Sequence, residues 1–352
     1  MTSTPPPADR IGIFSFAHYH ANFWAEVFAQ RGLLSGIWDD DEARGREAAA
    51  RFSVAYFSDP EALCQLSTAV AICSETARHP DLLERAVAHG LSVLIEKPLA
   101  ISVAQGERML RAVQGRRGVF MQSFPKRLDP VSHWLKDIVD TRSLGRLSLV
   151  RIRHGHHYGL TESFRDRWYV QPALAGGGAL LDEGVHGADL LAWLFGMPDN
   201  VSAVVSHAAL GLPVEDLGIA TFGFPSGLIA ELTASFCFAA ADTSIELYGS
   251  AGTALVSGVD LASRDISHEN FVRICRRNPD QADGPAPVWE TVPITPRFKL
   301  GQFHQQSAIA FADSLAHGTP VPVTLEDGLR ALRMVAAAYA SASEGRRLPV
   351  PH

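Results

Sequence analysis

Long hydrophobic runs, blocks of basic residues and clustered cysteines are all missing from this chain. No apolar run approaches the roughly 18 residues that a membrane-spanning helix needs, so none is expected. The net charge is -7 and the Lys and Arg residues form no block, which argues against a nucleic-acid or anionic-membrane partner. The cysteines stand far apart without the spacing of a metal site, and we expect them to be reduced core residues: Cys64, Cys73, Cys237 and Cys275.

The composition that remains is typical of a folded globular protein. Hydrophobic residues make up 47% and charged residues 20% of the chain, which separates it from disordered and membrane proteins. Its 352 residues are too many for one ordinary core and suit two domains. Met1–Arg10 is polar, Pro-rich and without an apolar signal segment, so we expect a short disordered tail ahead of a cytoplasmic protein.

Short apolar runs alternate with helical patterns from Ile11 onward. This alternation is typical of βα units that build a parallel sheet. The predicted strands are Ile11–Phe16, Leu34–Trp38, Thr68–Cys73, Ser92–Glu96 and Val119–Gln122, and the predicted helices are Ala21–Gln30, Asp81–His89 and Val103–Val113. We therefore predict a doubly wound α/β domain of nucleotide-binding type over residues 11–127, with functional groups at the carboxyl ends of its strands.

The pattern changes after Pro130 to longer segments in which apolar and polar residues alternate. Such alternation favours a mostly antiparallel sheet with one open face. The predicted strands are Leu147–Arg153, Val201–His207, Gly218–Phe224, Leu228–Ser235 and Ser244–Leu247, followed by a polar loop at Asn278–Pro287 and helices at Gln302–Ala316 and Leu325–Glu344. Residues 128–352 are therefore predicted to form an α+β domain with a large, mostly antiparallel open sheet.

Three consecutive acids, Asp39, Asp40 and Asp41, follow the second predicted strand. An acid at this place can accept hydrogen bonds from the ribose of an adenosine, and Asp39 is predicted to do so. Asp40 and Asp41 would repel a 2′-phosphate, which favours NAD over NADP. The alternative is that these two acids only begin the next helix, where they interact favourably with its dipole.

The first turn lacks every glycine of the G-x-G-x-x-G pattern and reads Ser15-Phe16-Ala17-His18-Tyr19-His20. Ser15 and Ala17 are small enough to let the backbone approach a pyrophosphate at a helix N-terminus. His20 stands where glycine normally allows close packing of helix on strand. His18 and His20 are either pocket residues or half-buried histidines whose hydrogen bonds are satisfied.

Glu96-Lys97-Pro98 ends the buried strand that begins at Ser92. A lysine at this edge, beside a cationic nicotinamide, would have its pKa lowered toward a range useful for proton transfer. Glu96 is placed to position it. The alternative is an ion pair at a strand end with no chemical role.

A glycine run opens a strongly apolar predicted helix, Gly176–Gly196. Asp182, His186 and Asp189 stand at i, i+4 and i+7 in it and would form one polar stripe on a buried helix. We expect Asp182 to hold one imidazole nitrogen of His186 and leave the other as a general base. The alternative is an acid–histidine pair that only fixes helix packing.

The second domain offers further pocket candidates. His157, Trp168 and Tyr169 precede the glycine run and are predicted to contact substrate, although Trp168 also suits packing at a rim. His154 and His156 would share a strand face, but catalytic zinc normally needs three protein ligands and no metal is predicted. Arg127 is predicted to have a structural role.

Taken together, the motifs resemble the glucose-fructose oxidoreductase, inositol dehydrogenase and MocA group of NAD(P)-dependent enzymes. The motifs that carry the resemblance are Ser74–His79, Glu96-Lys97-Pro98, Arg127–Pro130, Gly176–Gly178, the spacing of Asp182 and His186, and Gly249–Thr253. The resemblance implies a Rossmann domain and a second domain whose open sheet forms a homodimer or homotetramer interface. It also implies that Lys97 and His186 surround the carbon being oxidised, with Asp182 in support.

The resemblance extends to the cofactor site. It implies that Ser74, Glu75 and His79 line the nicotinamide side and that the Lys97–Pro98 bond is cis. Glu75 departs from the pattern, since many relatives have proline there. The implied activity is NAD-dependent transfer of a hydride to or from a hydroxyl-bearing carbon of a sugar, polyol or cyclitol. The alternatives are an NAD-assisted glycoside hydrolase and a non-catalytic cofactor-binding protein.

Overall fold

A computed structural model describes residues 9–239, 243–259, 272–277, 288–294 and 302–352. Most of the predicted tail at Met1–Arg10 and the whole predicted loop at Asn278–Pro287 lie outside the described residues. Two sheets organise the described part of the chain, and each is built from a different half of the sequence.

The first sheet has six parallel strands in the order β3-β2-β1-β4-β5-β6. The strands are β1 Ile11–Phe14, β2 Leu34–Trp38, β3 Tyr56–Phe57, β4 Ala69–Ile72, β5 Ser92–Ile95 and β6 Phe120–Gln122, and the helices between them are α1 Ala21–Gln30, α2 Glu42–Phe52, α3 Pro60–Leu66, α4 His79–Ala88 and α5 Val103–Val113. This order is that of a doubly wound dinucleotide-binding sheet, and it confirms the predicted fold class.

Local sequence explains where these elements begin and end. Asp41, Asp59 and Ser102 cap the N-termini of α2, α3 and α5 with their side chains. Gly32 and Gly90 follow α1 and α4 with φ of 69° and 73°, the left-handed conformation that stops a helix. The strands β1, β4 and β5 are buried along their whole length, as expected for a sheet covered on both faces.

The second sheet contains nine strands within the described residues, in the order β14-β13-β12-β11-β7-β10-β9-β8-β15. The strands are β7 Leu147–Gly155, β8 Asn200–Ser206, β9 Leu217–Gly223, β10 Ile229–Ser235, β11 Thr243–Gly249, β12 Gly252–Val259, β13 Val272–Arg276, β14 Glu290–Thr291 and β15 Leu348–Pro349. Only β7 and β10 pair in parallel among these described strands. The predicted mostly antiparallel sheet is therefore confirmed.

The described part of the second half of the chain also contains six helices, three of which pack against the second sheet. They are α6 Pro130–Asp140, α7 Pro172–Ala175, α8 Ala179–Asp182, α9 Gly184–Phe195, α10 Gln302–His317 and α11 Leu325–Glu344, with short 3₁₀ turns at Pro125–Leu128, Tyr158–Leu160, Glu162–Asp166 and Trp168–Val170. Helix α9 packs on β7 and β10, while α10 packs on α1 and α11 on both α5 and α9. The C-terminal helices thus connect the two sheets, and the predicted domain boundary between residues 127 and 128 stays a prediction.

The single helix predicted over Gly176–Gly196 is wrong in one respect that matters for the site. The segment forms α8 and α9 as separate helices, with a break at Glu183. Asp182 and His186 therefore do not lie on one continuous helical stripe.

Candidate active site

A pocket of about 400 Å³ opens where the carboxyl ends of the first sheet meet loops of the second half of the chain. Its walls come from the turn after β1, from the end of β5, from the segment after β7, from the break between α8 and α9, and from the start of α10. The polar residues on these walls include His18, His20, Lys97, His156, Tyr169, Asp182, Glu183, His186 and His304.

Lys97 lies at the base of this pocket and is 2% exposed. Its Nζ donates to Asp182 Oδ1 at 2.5 Å and to the Asp182 carbonyl oxygen at 3.0 Å, and Glu183 Oε1 is 3.8 Å away. The Lys97–Pro98 peptide bond is cis. The Lys97 ammonium group contacts both residues at the break between α8 and α9, Asp182 and Glu183.

The predicted lowering of the Lys97 pKa is wrong for the protein by itself. Burial lowers the pKa of Lys97, but the charges of Asp182, Glu183 and Glu96 outweigh that effect and raise it above its ordinary value. The prediction considered only a neighbouring cation. Three carboxylates hold Lys97 as an ammonium.

The predicted hydrogen bond between Asp182 and His186 is not formed, because Asp182 is turned toward Lys97. His186 Nδ1 is buried and has no hydrogen-bond partner among the described residues. The ring packs edge-on against His154 and Phe124, with centroids 5.1 and 5.9 Å away. Burial, followed by the charges of Lys97 and His154, lowers the pKa of His186 well below its usual value, so this imidazole is neutral.

The third member of the predicted stripe has a structural contact. Asp189 forms a bidentate pair with Arg127, at 2.6 and 2.9 Å, in the buried space below α9. Arg127 also lies 3.2 Å from Asp327 at the start of α11. These contacts join three separate segments and agree with the structural role predicted for Arg127.

Glu183 is a central polar residue that the sequence analysis missed. Its Oε2 lies 3.1 Å from His154 Nε2, and its Oε1 lies 3.8 Å from both Lys97 Nζ and His156 Nε2. Burial raises the pKa of Glu183, but Lys97 and the two histidines reverse the shift, and the group is a carboxylate. A second acid beside Asp182 in a strongly apolar segment was the available signal.

Of the predicted substrate residues, only Tyr169 lines the pocket; its hydroxyl is buried without a hydrogen-bond partner among the described residues. His157 does not line the pocket: it follows β7 at the start of the 3₁₀ turn Tyr158–Leu160, and its neighbour His156 lines the pocket instead. Trp168 does not line the pocket either. Its Nε1 donates to the Ala17 carbonyl oxygen at 3.0 Å, so it closes the turn after β1 from outside.

At the end of β2, Asp39 is buried and accepts from Phe16 N at 2.7 Å. Arg44 also donates to it through Nη2 at 2.6 Å and Nε at 2.9 Å. Asp40 pairs with Arg78 at 2.9 Å, while Asp41 caps α2. The helix-start alternative therefore holds for Asp41, and Asp39 occupies the place where an acid meets an adenosine ribose.

The turn after β1 keeps its shape without glycine. Ser15 adopts φ of 70°, the left-handed conformation that the first glycine of the pattern would take. Phe16 N donates to Asp39, Ala17 N to Ser15 Oγ at 3.1 Å and His18 N to the Cys73 carbonyl at 2.9 Å. The chain therefore fits a dinucleotide at the acid after β2 and in the pocket, but the turn offers a pyrophosphate fewer free amides than a glycine turn would.

The remaining predicted cofactor residues divide into three groups. His79 is buried with its ring nitrogens 3.1 Å from the Pro98 carbonyl and 3.3 Å from the Ser74 carbonyl, so it braces the turn after β5 instead of lining the pocket. Ser74 donates to the Glu75 carbonyl, and Glu75 lies 3.2 Å from Arg78 near the acids after β2. Glu96 faces His20 Nδ1 at 3.2 Å and influences Lys97 through its charge.

Two models of known protein families match this chain. A model described as an oxidoreductase family with an NAD-binding Rossmann fold matches residues 11–124, and a model of the GFO/IDH/MocA C-terminal domain matches residues 133–255. The chain belongs to the GFO/IDH/MocA family. The resemblance predicted from the motifs is thereby confirmed, and the family is one of NAD(P)-binding oxidoreductases.

Relatives of this GFO/IDH/MocA protein include enzymes named for sugar substrates. A 1,5-anhydro-D-fructose reductase of Ensifer adhaerens is 27% identical over 79% of this chain and 78% of its own length. A D-apiose dehydrogenase of Paraburkholderia graminis is 26% identical over 95% of this chain and 86% of its own length. A levoglucosan dehydrogenase structure, in complex with NADH and L-sorbose, matches 98% of this chain and 99% of its own with a TM-score of 0.82 at 21% identity, which shows the shared fold.

A search of the described helices for membrane-spanning segments finds none that combines the necessary length and hydropathy. This agrees with the lack of long apolar runs in the sequence.

Proposed function

We propose that the protein is an NAD-dependent oxidoreductase that transfers a hydride between the nicotinamide and a hydroxyl-bearing carbon of a sugar, polyol or cyclitol. The observation that carries the proposal is a cation and a neutral base on the wall of one pocket. Carboxylates keep Lys97 protonated, whereas burial keeps His186 neutral. Oxidation of an alcohol needs such a pair, one group to take the proton and one to stabilise the oxygen.

In this proposal His186 takes the proton of the substrate hydroxyl. The Lys97 ammonium donates a hydrogen bond to the same oxygen and stabilises its negative charge while the carbonyl forms. Asp182 and Glu183 orient Lys97 and keep it charged. NAD, when bound, supplies the acceptor for the hydride. The alcohol thus loses one hydride and one proton, and the reverse steps reduce the carbonyl.

The preference for NAD over NADP rests on the charges after β2 and β4. Asp39, Asp40 and Glu75 surround the guanidinium groups of Arg44 and Arg78. These groups carry three negative charges against two positive charges. A 2′-phosphate would add negative charge to a place that already has an excess, which disfavours NADP.

A polyhydroxylated substrate suits the other walls of the pocket. Hydroxyl, amide and guanidinium groups lie among aromatic rings there, a combination that orients a sugar through several hydrogen bonds. The residues are Asn22, Tyr158, Thr161, Ser163 and Arg167.

The open face of the second sheet is our candidate for a homodimer or homotetramer interface. Val204 on β8 is 64% exposed and Ile229 on β10 is 50% exposed. Arg151 on β7 lies between Glu231 and Glu246 on the neighbouring strands. Light scattering coupled to gel filtration tests this assignment, since Ile229→Arg should reduce the measured mass and a monomeric wild type would contradict it.

Incubation of the full-length protein with NAD and a panel of sugars, polyols and aldonates tests the proposed activity. We expect NADH absorbance to rise with at least one member of the panel. Release of aglycone from a glycoside without net NADH would instead identify an NAD-assisted hydrolase. Binding of NADH without turnover of any panel member or glycoside would favour a non-catalytic cofactor-binding protein.

A further inference from the structure

Four polar side chains form a second cluster at the pocket, and the three histidines among them line it. His18 and His20 come from the turn after β1, Glu96 from the end of β5, and His304 from the first turn of α10. We call these residues the histidine–glutamate cluster. The proposed hydride transfer assigns no step to any of them.

The cluster is compact. Ligand atoms of His18, His20 and Glu96 all lie within 4.8 Å of one another, and His20 Nδ1 is 3.2 Å from Glu96 Oε1. The His18 and His20 rings have centroids 4.1 Å apart, and His304 stacks on His20 at 3.5 Å. His18 Nδ1 is engaged with the His20 amide at 3.3 Å, which leaves Nε2 for a ligand.

Several atoms of the cluster lack the hydrogen bonds that buried polar groups normally make. His20 Nδ1, both Glu96 carboxylate oxygens and His304 Nδ1 are buried without a hydrogen-bond partner among the described residues. His20 is 3% exposed and Glu96 is 1% exposed. His20 Nδ1 and Glu96 Oε1 face each other at 3.2 Å without hydrogen-bond geometry. Since an unsatisfied buried donor or acceptor is destabilising, these atoms point to a ligand.

The charge around the cluster favours a cation. Three acidic side chains, Glu96, Asp182 and Glu183, act on the Lys97 ammonium through their charges. When these acids are deprotonated, they outnumber that ammonium by three to one and leave negative charge unbalanced. A divalent cation would balance that charge.

We propose that His18, His20 and Glu96 bind a divalent transition-metal ion, with His304 as an additional ligand. Neutral imidazole nitrogens with a carboxylate oxygen are the donor set of Zn²⁺ and related ions. The histidines of the cluster line the pocket, so an open coordination position there would take a substrate oxygen. This inference does not depend on hydride transfer, because the site would bind metal in either case.

A second group of possible ligands, His156, Asp182 and Glu183, is the weaker candidate. Asp182 accepts hydrogen bonds from the Lys97 ammonium, and Glu183 lies beside His154 and Lys97. His156 Nδ1 accepts from the Tyr158 amide. Lys97 therefore already supplies the positive charge that this group needs.

Metal binding by the full-length protein tests the proposal directly. The protein is treated with a chelator, dialysed and titrated with Co²⁺ and Zn²⁺, and bound metal is counted by plasma mass spectrometry. We expect one tightly bound equivalent in the wild type and d–d absorption bands with Co²⁺. His20→Asn and Glu96→Gln should each weaken binding by about 100-fold or more, since even outer-shell changes cost 10–100-fold.

Two matched variants locate the site. His133→Asn changes an exposed histidine of α6, and His156→Asn changes the competing group, so both should retain the bound equivalent. X-ray absorption of the zinc-loaded wild type identifies the ligands without any variant, so it tests the proposal even if a variant fails to fold. We expect at least two imidazole ligands. The proposal is overturned if the wild type binds no metal, if the spectrum shows no imidazole, or if His156→Asn alone abolishes binding.

Discussion

Among single residues, Lys97 shows most clearly how the neighbours of a group decide its chemistry. It is buried, which alone would favour the neutral amine, yet Asp182 and Glu183 at the break between α8 and α9 keep it charged. His186 has the opposite balance, since its Nδ1 has no hydrogen-bond partner among the described residues and burial lowers its pKa. We therefore propose that His186 accepts the proton and that Lys97 stabilises the substrate oxygen.

Replacing Asp182 by Asn should change the pH dependence of activity. Asp182 raises the pKa of Lys97, so its loss lets burial pull that pKa down and the ammonium form disappears at a lower pH. We expect the alkaline limb of the kcat profile to move down by about one pH unit or more, because a close opposite charge typically shifts a pKa by 1–3 units. The surface variant Asp140→Asn should leave the profile unchanged, and an unmoved alkaline limb in Asp182→Asn would contradict the pairing.

Cofactor preference gives a second prediction for single residues. In the double variant Asp39→Asn/Asp40→Asn, the Arg44 and Arg78 guanidinium groups lose two of their three acids. We expect the ratio of kcat/KM for NAD to that for NADP to fall at least about tenfold, which corresponds to roughly 1.4 kcal/mol. Asp41→Asn is the control because asparagine also caps a helix. Equal ratios in all three proteins would refute the charge argument.

The sequence predicted part of the site correctly. Lys97 and His186 both line the pocket, as predicted. They could be predicted because a charged residue at a strand end and a polar residue in an apolar helix are visible in the local sequence. The partner of Asp182 was not predictable in this way. It is Lys97, 85 residues away, and such a contact leaves no trace in helical spacing.

Among the elements, the break between α8 and α9 has the largest consequence. The sequence has uninterrupted apolar periodicity there, which predicts one helix. At the break, Asp182 and Glu183 both approach Lys97, and Glu183 also approaches His154 at the end of β7 and His156 just after it. Strand β15 also escaped prediction, because it has only two residues and pairs with β8, far away in sequence.

Gly187 of α9 tests how closely this helix packs on the second sheet. A Cβ at this position would lie 2.3 Å from Leu232 Cδ1 and 3.2 Å from Ile152 Cγ2, both on buried strands. Gly187→Ala should therefore lower the free energy of unfolding by about 1–3 kcal/mol through overpacking, despite the better helix propensity of alanine.

Gly184→Ala is the matched control in the same helix. Its Cβ would approach only Leu180 Cδ1 closely, at 3.0 Å, so we expect a smaller change in stability. Urea denaturation measures both variants. A Gly187→Ala protein as stable as Gly184→Ala would show that the contact with Leu232 relaxes without cost.

For the whole molecule, the distribution of buried histidines links the pocket to acid stability. Burial lowers the pKa of six histidines in the described part of the chain: His18, His20, His79, His154, His186 and His304. The two-sheet architecture that creates these sites was predictable from the alternation of apolar segments. The burial of these histidines was not predictable, because it depends on contacts between segments that are distant in sequence. In the pocket, for example, α10 and the segment after β7 lie beside the turn after β1.

Protonation of these histidines should therefore contribute to the loss of stability in acid. Burial lowers the pKa of His154 from 6.5 to about 4, so the unfolded chain binds the proton more readily and stability is lost as the pH falls through 6.5 toward 4. His154 alone accounts for roughly 3 kcal/mol across that window. Denaturant unfolding at a series of pH values should show a shallower acid dependence in His154→Gln than in the wild type. The exposed variant His133→Gln should match the wild type, and a dependence equally steep in His154→Gln would exclude this explanation.

The most direct test of the proposed oxidoreductase function is the turnover of Lys97→Ala with the best sugar of the panel. NADH formation is followed by absorbance, NADH binding by fluorescence, and folding by circular dichroism. We expect kcat to fall by about 10²-fold or more, the usual contribution of a proton-transfer or oxyanion group, while the Kd for NADH stays within a few-fold of the wild type. A folded Lys97→Ala protein that binds NADH and still turns over at the wild-type rate would contradict the central role of Lys97.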